Sequence, residues 1–372
     1  VKLVYFTHSL RSCWNHGNAH FLRGVLRDLV ARGHEVAAYE PEDAWSVQNL
    51  LAEGGAAGLE VWRLAYSELR ATPYGPGFDP AFACDGADVV IVHEWNEPAL
   101  VAAIGRLRAR GAAFTLLFHD THHRAVTDPA AIGAFDLSGY DGVLAFGEAL
   151  AEVYRRWGWG RRAFVWHEAA DIRLFRPPAV EGPREGLIWI GNWGDDERSA
   201  ELEAFLLAPA RAAGLGLDIH GVRYPAPARD RLAAFGAAYH GWIPNACAPA
   251  LFARRMATVH VPRRAYARDL PGIPTIRVFE ALACGIPLAS APWLDSEGLF
   301  RVGEDFLMAE TPAAMTSALR ALRDDAGLRA SLAASGLETI RARHTCAHRV
   351  DELTAILARL GARTTTAAAE GV

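Results

Sequence analysis

The sequence predicts an α/β protein built from two parallel-sheet domains, and three observations carry that reading. Short runs rich in Val, Ile, Leu and Phe recur from end to end, each followed by a longer amphipathic stretch, as in a parallel sheet covered by helices on both faces. The chain has 372 residues, more than one ordinary core accommodates. A proline-rich break, Leu174-Phe175-Arg176-Pro177-Pro178 and then Glu181-Gly182-Pro183, separates two such series and reads as a linker.

In the first series the spacing predicts strands over 2–7, 35–39, 59–63, 89–93, 114–119 and 142–146. Between the first two, residues 18–32 read as a helix, with Phe21, Leu22, Val25, Leu26, Leu29 and Val30 at helical spacing and Gly33 as its stop. In the second series strands are expected over 186–190, 217–220, 238–240, 258–262 and 286–289. Domain boundaries are placed at 1–175 and 176–340. A C-terminal helix over 341–361, the end of a helical stretch running 326–360, is expected to cross back over the hinge. The tail 362–372 has too little apolar patterning to be ordered.

Composition excludes several classes. With 51% hydrophobic and 22% charged residues and a net charge of −5, the chain reads as soluble and globular, with no general nucleic-acid surface. Its five cysteines are odd in number, scattered and never in a CxxC pair, so neither a disulfide framework nor a zinc knuckle is indicated and a reducing cytoplasm fits. No apolar run approaches the roughly 18 residues of a membrane span. Peripheral membrane association stays open, because a patch assembled from several loops leaves no trace in composition.

The segment 270–292, LPGIPTIRVFEALACGIPLASAP, is the most informative. It puts one carboxylate, Glu280, into an otherwise apolar helix, and carboxylates are rarely buried without a partner. Arg277, three residues earlier, shares its face. Pro271-Gly272-Ile273-Pro274 makes a side-chain-poor approach to the helix start at Thr275 and Ile276, whose free N–H groups suit a phosphate. A sugar nucleotide offers the matching diphosphate and ribose diol; a plain structural ion pair between Arg277 and Glu280 is the competing reading.

Ligands of parallel α/β sheets bind beyond the carboxyl ends of strands. After the first strand, Gly17 permits close backbone approach, and His16 and His20 could contact a sugar or take a proton. The segment lacks the spacing of a dinucleotide fingerprint. After the fourth and fifth strands come His93-Glu94-Trp95 and His119-Asp120-Thr121-His122-His123-Arg124. His119 and His123 have i, i+4 spacing, but His119 ends a strand, so no metal site is expected. His119 instead suits a substrate hydroxyl, and Asp120 could orient an imidazole or act as a base. In the second series, Asn192 lies in a glycine-flanked turn, and Arg198 could reach a diphosphate or pair on the surface with Glu197 or Glu201. Trp242 and Ile243 offer an apolar plane for a nucleobase, with core packing the alternative for Trp242. Arg263, Arg264 and Arg268 form a basic cluster.

Taken in order, WNHGNAHFLRGVLRDLVARGHEV, DVVIVHEWN, FTLLFHDTHHR, IWIGNWGDDER, YHGWIPN, TIRVFEALACGIPLASAP, GLFRVGEDFL and ARHTCAHRV resemble the CgeB-like group of bacterial glycosyltransferases with the GT-B fold. The resemblance covers nearly the whole chain. It implies two Rossmann-like domains facing a cleft, a nucleotide-sugar donor held mainly by the second and an acceptor held mainly by the first. Glu280 would then hydrogen-bond the donor ribose, and Arg198, Arg277 and the helix start at Thr275 would face the diphosphate. His119 would touch the donor sugar, and Gly17 with Asn18 would form a flexible loop near the phosphates. Related retaining enzymes carry a second glutamate eight positions before this one, where this chain has Gly272.

The sequence-level expectation is therefore a metal-independent, cofactor-free glycosyltransferase acting on an unidentified acceptor hydroxyl, with His119, Asp120 and His20 as candidate catalytic groups. Two rivals are a sugar-nucleotide epimerase and a non-catalytic nucleotide-sugar or glycan-binding protein. Glu280→Ala is expected to abolish donor binding without unfolding the chain.

Overall fold

A computed structural model describes residues 1–178 and 182–362. The chain divides into two compact units. The first comprises Val1–Ser12, Leu22–His167 and the stretch from Cys346 onward; the second comprises Cys13–Phe21 and Glu168–Thr345.

The first unit holds a seven-stranded, all-parallel sheet: β1 (Lys2–Phe6), β2 (Glu35–Pro41), β3 (Ala71–Tyr74), β4 (Val89–His93), β5 (Thr115–Asp120), β6 (Gly142–Ala145) and β7 (Ala163–Val165). Their spatial order is β3-β2-β1-β4-β5-β6-β7. The central strands β4 and β5 are buried along their whole length, which is why they read as unbroken apolar runs. The second unit has a six-stranded parallel sheet of β8 (Leu187–Ile190), β9 (Leu217–His220), β10 (Ala238–Tyr239), β11 (Ala257–His260), β12 (Leu288–Ser290) and β13 (Leu307–Met308), ordered β10-β9-β8-β11-β12-β13. In each sheet the order reverses once beside a central strand, between β1 and β4 and between β8 and β11. Such reversals open a crevice at the carboxyl ends of the strands.

Five helices bear on the candidate site or on the division of the chain. Helix α1 (Ala19–Ala31) contributes its first turn to the second unit, and α2 is Trp45–Ala65. Helix α3 (Ile276–Ala283) is buried at every position but Arg277, and α4 (Ala326–Arg343) packs against it within the second unit. Helix α5 (Cys346–Arg359) belongs to the first unit, where the Trp166 indole donates to the Arg349 carbonyl at 2.8 Å and Arg349 donates to the His167 carbonyl at 3.0 Å.

Several expected elements are displaced. The predicted strand at 59–63 is the last part of α2, which bends at Gly55 with a positive φ of 60°. The real third strand is Ala71–Tyr74, whose Pro73 is tolerated because the strand lies at the sheet edge. Strands β7 and β13, of three and two residues, are too short to give an alternating signal. The helical stretch 326–360 is two helices, broken at His344 and Thr345. Residues 179–181 of the expected linker and 363–372 of the expected tail lie outside the described residues.

Candidate functional site

The second unit gathers most of the expected donor-side residues around α3. Glu280 is wholly buried; it accepts hydrogen bonds from Arg277 and from Asn245 Nδ2 at 2.6 Å, and its Oε1 lies 3.1 Å from His20 Nδ1. Burial opposes its charge most strongly, yet Arg277, His20 and Asn245 together hold its pKa below the usual carboxylate value. His20 is fixed in one tautomer. Its Nε2 accepts the Asp171 N–H at 2.8 Å, so the proton sits on Nδ1 and points to Glu280. Phe175 packs on the imidazole at 4.0 Å between ring centroids. His20, expected as a base, has its Nε2 taken by the Asp171 N–H and its Nδ1 facing Glu280.

A second proton chain anchors the start of α3. Ser290 Oγ donates to the Ala291 carbonyl at 2.8 Å, which leaves His260 Nδ1 to donate to Ser290 Oγ at 2.9 Å and His260 Nε2 to accept from Thr275 Oγ1 at 3.2 Å. Burial, reinforced by Arg198 and Arg277, pushes His260 down to about 3, so the ring is neutral. Because the Thr275 hydroxyl goes to His260, no side chain of Thr275 caps the helix. The Ile276 N–H is taken instead by the carboxyl of Glu168. Gly17 lies against this helix start: a Cβ added there would come within 3.1 Å of the Ile276 side chain.

Arg198 spans the reversal of the second sheet. It donates to the Val261 carbonyl beyond β11 at 3.1 Å, and to the carbonyl and Oδ1 of Asn192 beyond β8 at 2.9 and 2.5 Å. Asn192 in turn donates through Nδ2 to Asn15 Oδ1 at 2.6 Å, tying the Cys13–Phe21 segment to this edge. Among the described residues, the oxygens that accept from Arg198 are all uncharged. The neighbouring arginines differ: Arg263 pairs with Glu197, and Arg264 with Glu201 at 2.6 Å. Burial, with Arg263 and Arg277 nearby, lowers the Arg198 pKa to about 9. Arg198 is therefore not the surface ion pair that the sequence allowed. Trp242 and Ile243 are half-buried, so Trp242 is not a core residue, and Asn18 is half-buried as well.

Gly272 has a φ of 90°, and a Cβ there would lie 2.4 Å from Ser296 Oγ. The position where related enzymes keep a glutamate has neither the backbone conformation nor the space for a side chain.

In the first unit, His119 and Asp120 end β5 and are wholly buried. His119 Nδ1 bonds the Tyr5 hydroxyl, its ring packs edge-on against Trp166 at 4.8 Å, and burial lowers its pKa to about 3. Asp120 accepts from the Tyr154 hydroxyl at 2.7 Å and from the His122 N–H at 3.0 Å. Glu94, just beyond β4, pairs with Arg124 and accepts from Thr121 Oγ1 at 3.3 Å. Burial raises both carboxyls, and the charge of Asp120 adds to the rise of Glu94. Among the described residues, no group of three His, Cys, Asp or Glu side chains is arranged to hold a metal ion.

Sequence reasoning did not single out Glu168, Asn245, His260 or Glu94 as site residues. Three of them come directly after a strand or within a few positions of one: Glu94 after β4, Glu168 after β7, and Asn245 after β10, while His260 closes β11. Inspection of every strand end would have found Glu168 had the three-residue β7 been recognised.

Residues 198–355 match a family model described as glycosyl transferase-like, a stretch that contains Arg198, Asn245, His260, Arg277 and Glu280. No curated protein sequence matches the chain. Among solved structures, sucrose-phosphate synthase from Thermosynechococcus elongatus is similar at 13% identity, with 97% of this chain and 99% of that chain covered and a TM-score of 0.65. A glycosyltransferase from Rickettsia africae ESF-5 is similar at 9% identity, with 98% and 99% covered and a TM-score of 0.66. T4 phage β-glucosyltransferase, solved with its UDP-glucose substrate, is similar at 11% identity, with 96% and 99% covered and a TM-score of 0.57. At such identities the likeness is one of fold. The chain has the GT-B fold of two parallel-sheet domains, and most of its glycosyl transferase-like segment lies in the second unit.

Proposed function

We propose that the protein is a glycosyltransferase, of the CgeB-like kind that its sequence resembles, moving a sugar from a nucleoside-diphosphate donor to an acceptor hydroxyl without a metal or cofactor. The observation that carries this reading is Arg198. A guanidinium held against carbonyl and amide oxygens at a sheet reversal, with no carboxylate accepting from it among the described residues, is a cation prepared for an anion. Arg277 and the start of α3 belong to the same electrostatic neighbourhood.

Breaking the bond between the anomeric carbon and the phosphate oxygen develops negative charge on the departing diphosphate. Arg198 and Arg277 supply fixed positive charge for it, and prearranged charge of this kind is usually the largest rate term. Glu280 accepts from Asn245 and Arg277 and so orients both. A ribose hydroxyl would bond it by replacing one of those donors. Trp242 and Ile243 are the proposed nucleobase contacts, and Gly17 and Asn18 the proposed loop near the phosphates. Asp120, with its pKa raised by burial, is the proposed base for the acceptor hydroxyl, and His119 the neutral hydrogen-bond donor to the sugar.

The test is a thermal-shift and calorimetric screen of the whole chain against UDP, GDP, ADP, CDP, dTDP and their common sugar conjugates, each with EDTA and with Mg²⁺ or Mn²⁺. A diphosphate at 100 times its dissociation constant stabilises by about 2.7 kcal/mol. Binding in EDTA, followed by slow release of free sugar from one conjugate, supports the proposal. Failure of every diphosphate to bind rejects it, and binding only with Mn²⁺ or Mg²⁺ rejects its metal-independent form. Product formed without an acceptor, by rearrangement of the sugar, would favour the epimerase.

A further inference from the structure

The turn that enters β7 has no part in the proposed transfer, and its composition sets it apart. It reads Arg155-Arg156-Trp157-Gly158-Trp159-Gly160-Arg161-Arg162, a cluster of arginine and tryptophan in a chain whose net charge is −5. The turn follows the helix Glu148–Tyr154 and leads into Ala163, the first residue of β7. Gly158 and Gly160 have positive φ values of 98° and 50°, and a Cβ built at either meets open space, so the chain reverses direction in solvent there. Trp157 is 44% exposed and sits edge-on against the buried Tyr154 ring, with 5.4 Å between centroids. Trp159 is half-buried, and the Arg162 guanidinium lies over its ring at 4.9 Å.

Most of the positive charge on this turn is left over. Arg155 pairs with Glu148 and Glu152, the glutamates of the preceding helix. Arg156, Arg161 and Arg162 are exposed, and none of them forms an ion pair among the described residues. Arg359, exposed at the end of α5, joins them: its guanidinium lies 4.9 Å over the ring of Phe164, two positions beyond Arg162. All of these residues belong to the first unit. The turn lies at the amino end of a parallel strand, whereas His119 and Asp120 lie at the carboxyl end of β5.

We infer that this turn seats the first unit on an anionic lipid surface, with Trp157 in the headgroup layer and Arg156, Arg161, Arg162 and Arg359 against the lipid phosphates. Tryptophan collects at the boundary between hydrocarbon and water because its indole is apolar over most of its area and keeps one N–H donor. Arginine is drawn to the negative surface potential of anionic lipids and bonds phosphate oxygens with its fork of N–H groups. A nucleic acid fits the same charge less well. Binding of a strand uses a positive groove that follows several phosphates, with aromatic faces open to stack on bases. Here the charge is confined to one turn and a neighbouring helix end, and one face of Trp159 is taken by Arg162. Attachment of this kind is reversible, since stable anchoring takes a second signal. Lipid contact at the amino end of β7 leaves the carboxyl ends of the sheet open, so the inference stands apart from the donor site.

The experiment is flotation of the full-length chain with vesicles of phosphatidylcholine alone and of phosphatidylcholine mixed with an equal amount of phosphatidylglycerol. The wild type is expected to float with the anionic vesicles, to stay behind with the neutral ones, and to be released by about 1 M salt, where the screening length falls to about 3 Å. Arg156→Ser, Arg161→Ser and Arg162→Ser combined are expected to weaken anionic-vesicle binding by about 100-fold, since each arginine contributes about fivefold near such a surface. Lipids with brominated acyl chains are expected to quench tryptophan fluorescence in the wild type, and to quench it less in Trp157→Phe. Equal binding to the two kinds of vesicle, binding to neither, or a triple variant that binds as tightly as the wild type would overturn the inference, and the vesicle comparison needs no variant to fold. Quenching unchanged in Trp157→Phe would overturn the placement of Trp157. Retention of a short DNA duplex without vesicle binding would assign the turn to nucleic acid instead.

Discussion

Replacing Glu280 by alanine probes how firmly a wholly buried carboxylate is tied into the second unit. From sequence, Glu280→Ala removes a ligand contact and leaves the fold alone. From the structure, it strips a wholly buried carboxylate from Arg277, His20 Nδ1–H and Asn245 Nδ2–H at once. Removing one partner of a buried ion pair costs about 3–5 kcal/mol. Arg277 is partly exposed and can recover some hydration, so the lower half of that range applies, and the two stranded N–H groups add back part of it. For a domain of about 150–250 residues each kcal/mol moves Tm by roughly 2–4 °C, so the second unit should melt roughly 6–20 °C lower in Glu280→Ala. Glu280→Gln keeps an oxygen for His20 and Asn245 and loses only the charge opposite Arg277, so its loss should be about half as large. The depressed pKa adds a pH signature. A carboxylate lowered on folding stabilises above its unfolded value of 4.5 and loses that contribution as pH falls through its folded value, so wild type and Glu280→Ala should converge in stability in acid. Calorimetric melting of both variants from pH 3 to 8 tests this. An alanine variant within about 2 °C of wild type at pH 7 would show that the carboxylate is not held as described, and that the energy assigned to it is wrong.

Single residues carry three further predictions. Arg198→Met should weaken nucleoside-diphosphate binding by about 10–100-fold, the worth of one or two charge-assisted hydrogen bonds, while Tm stays level or rises because a poorly compensated buried charge is gone; unchanged affinity by calorimetry would refute its role. Gly272→Ala should destabilise by about 1–3 kcal/mol in urea unfolding, since the position combines a φ of 90° with a 2.4 Å approach to Ser296 Oγ; Gly272→Glu should be no more active than wild type, and a gain in turnover would contradict the geometry. Glu94 is raised on folding by burial and by Asp120, so its contribution is fully present below pH 4.5 and is lost as pH climbs through its folded value; Glu94→Gln should therefore gain stability relative to wild type between pH 5 and pH 8, and parallel urea profiles at the two pH values would count against that.

The parallel sheets were legible because buried central strands have to be continuous apolar runs, as in β1, β4, β5 and β8. Legibility failed where the pattern carries another meaning. Leu59–Arg63 of α2 has the leucine, valine and tryptophan of a strand, but it lies on a surface helix whose buried positions, Ser46, Val47, Leu50 and Gly58, come mostly from the first half. The candidate site was legible at Glu280, Arg277, Arg198 and Asn192, where a charged or amide side chain comes after a glycine or proline signal. The hydrogen-bond partners were not. His20 meets Glu280 across 260 positions of sequence, and no local spacing records such a contact. That is why the sequence does not show that this imidazole faces a buried carboxylate and accepts a backbone N–H.

Both units use the same arrangement: two buried carboxyls and one arginine, with Glu94, Asp120 and Arg124 in the first and Glu168, Glu280 and Arg277 in the second. One guanidinium neutralises one carboxylate, so in each set the second carboxyl is held toward its protonated form. The consequences differ because the donors are placed differently. In the second unit Arg277 and Asn245 bond Glu280 and His20 lies beside it, which lowers Glu280, while burial and the charge of Glu280 raise Glu168. In the first, Arg124 and Thr121 serve Glu94, while Asp120 has the Tyr154 hydroxyl and the His122 N–H, and both carboxyls are raised, Glu94 to about 8 and Asp120 to about 6. A carboxyl raised to about 6 is more basic than usual yet loses its proton near neutral pH, the property wanted of a base that must deprotonate a hydroxyl. A pair with widely separated affinities keeps a fixed charge, the property wanted beside a diphosphate. Turnover should therefore depend on pH through the first set. Asp120→Asn should then abolish the acid-side fall in the turnover that remains, while leaving the pH dependence of diphosphate binding unchanged; a variant that shifted both profiles together would mean the two sets do not titrate independently.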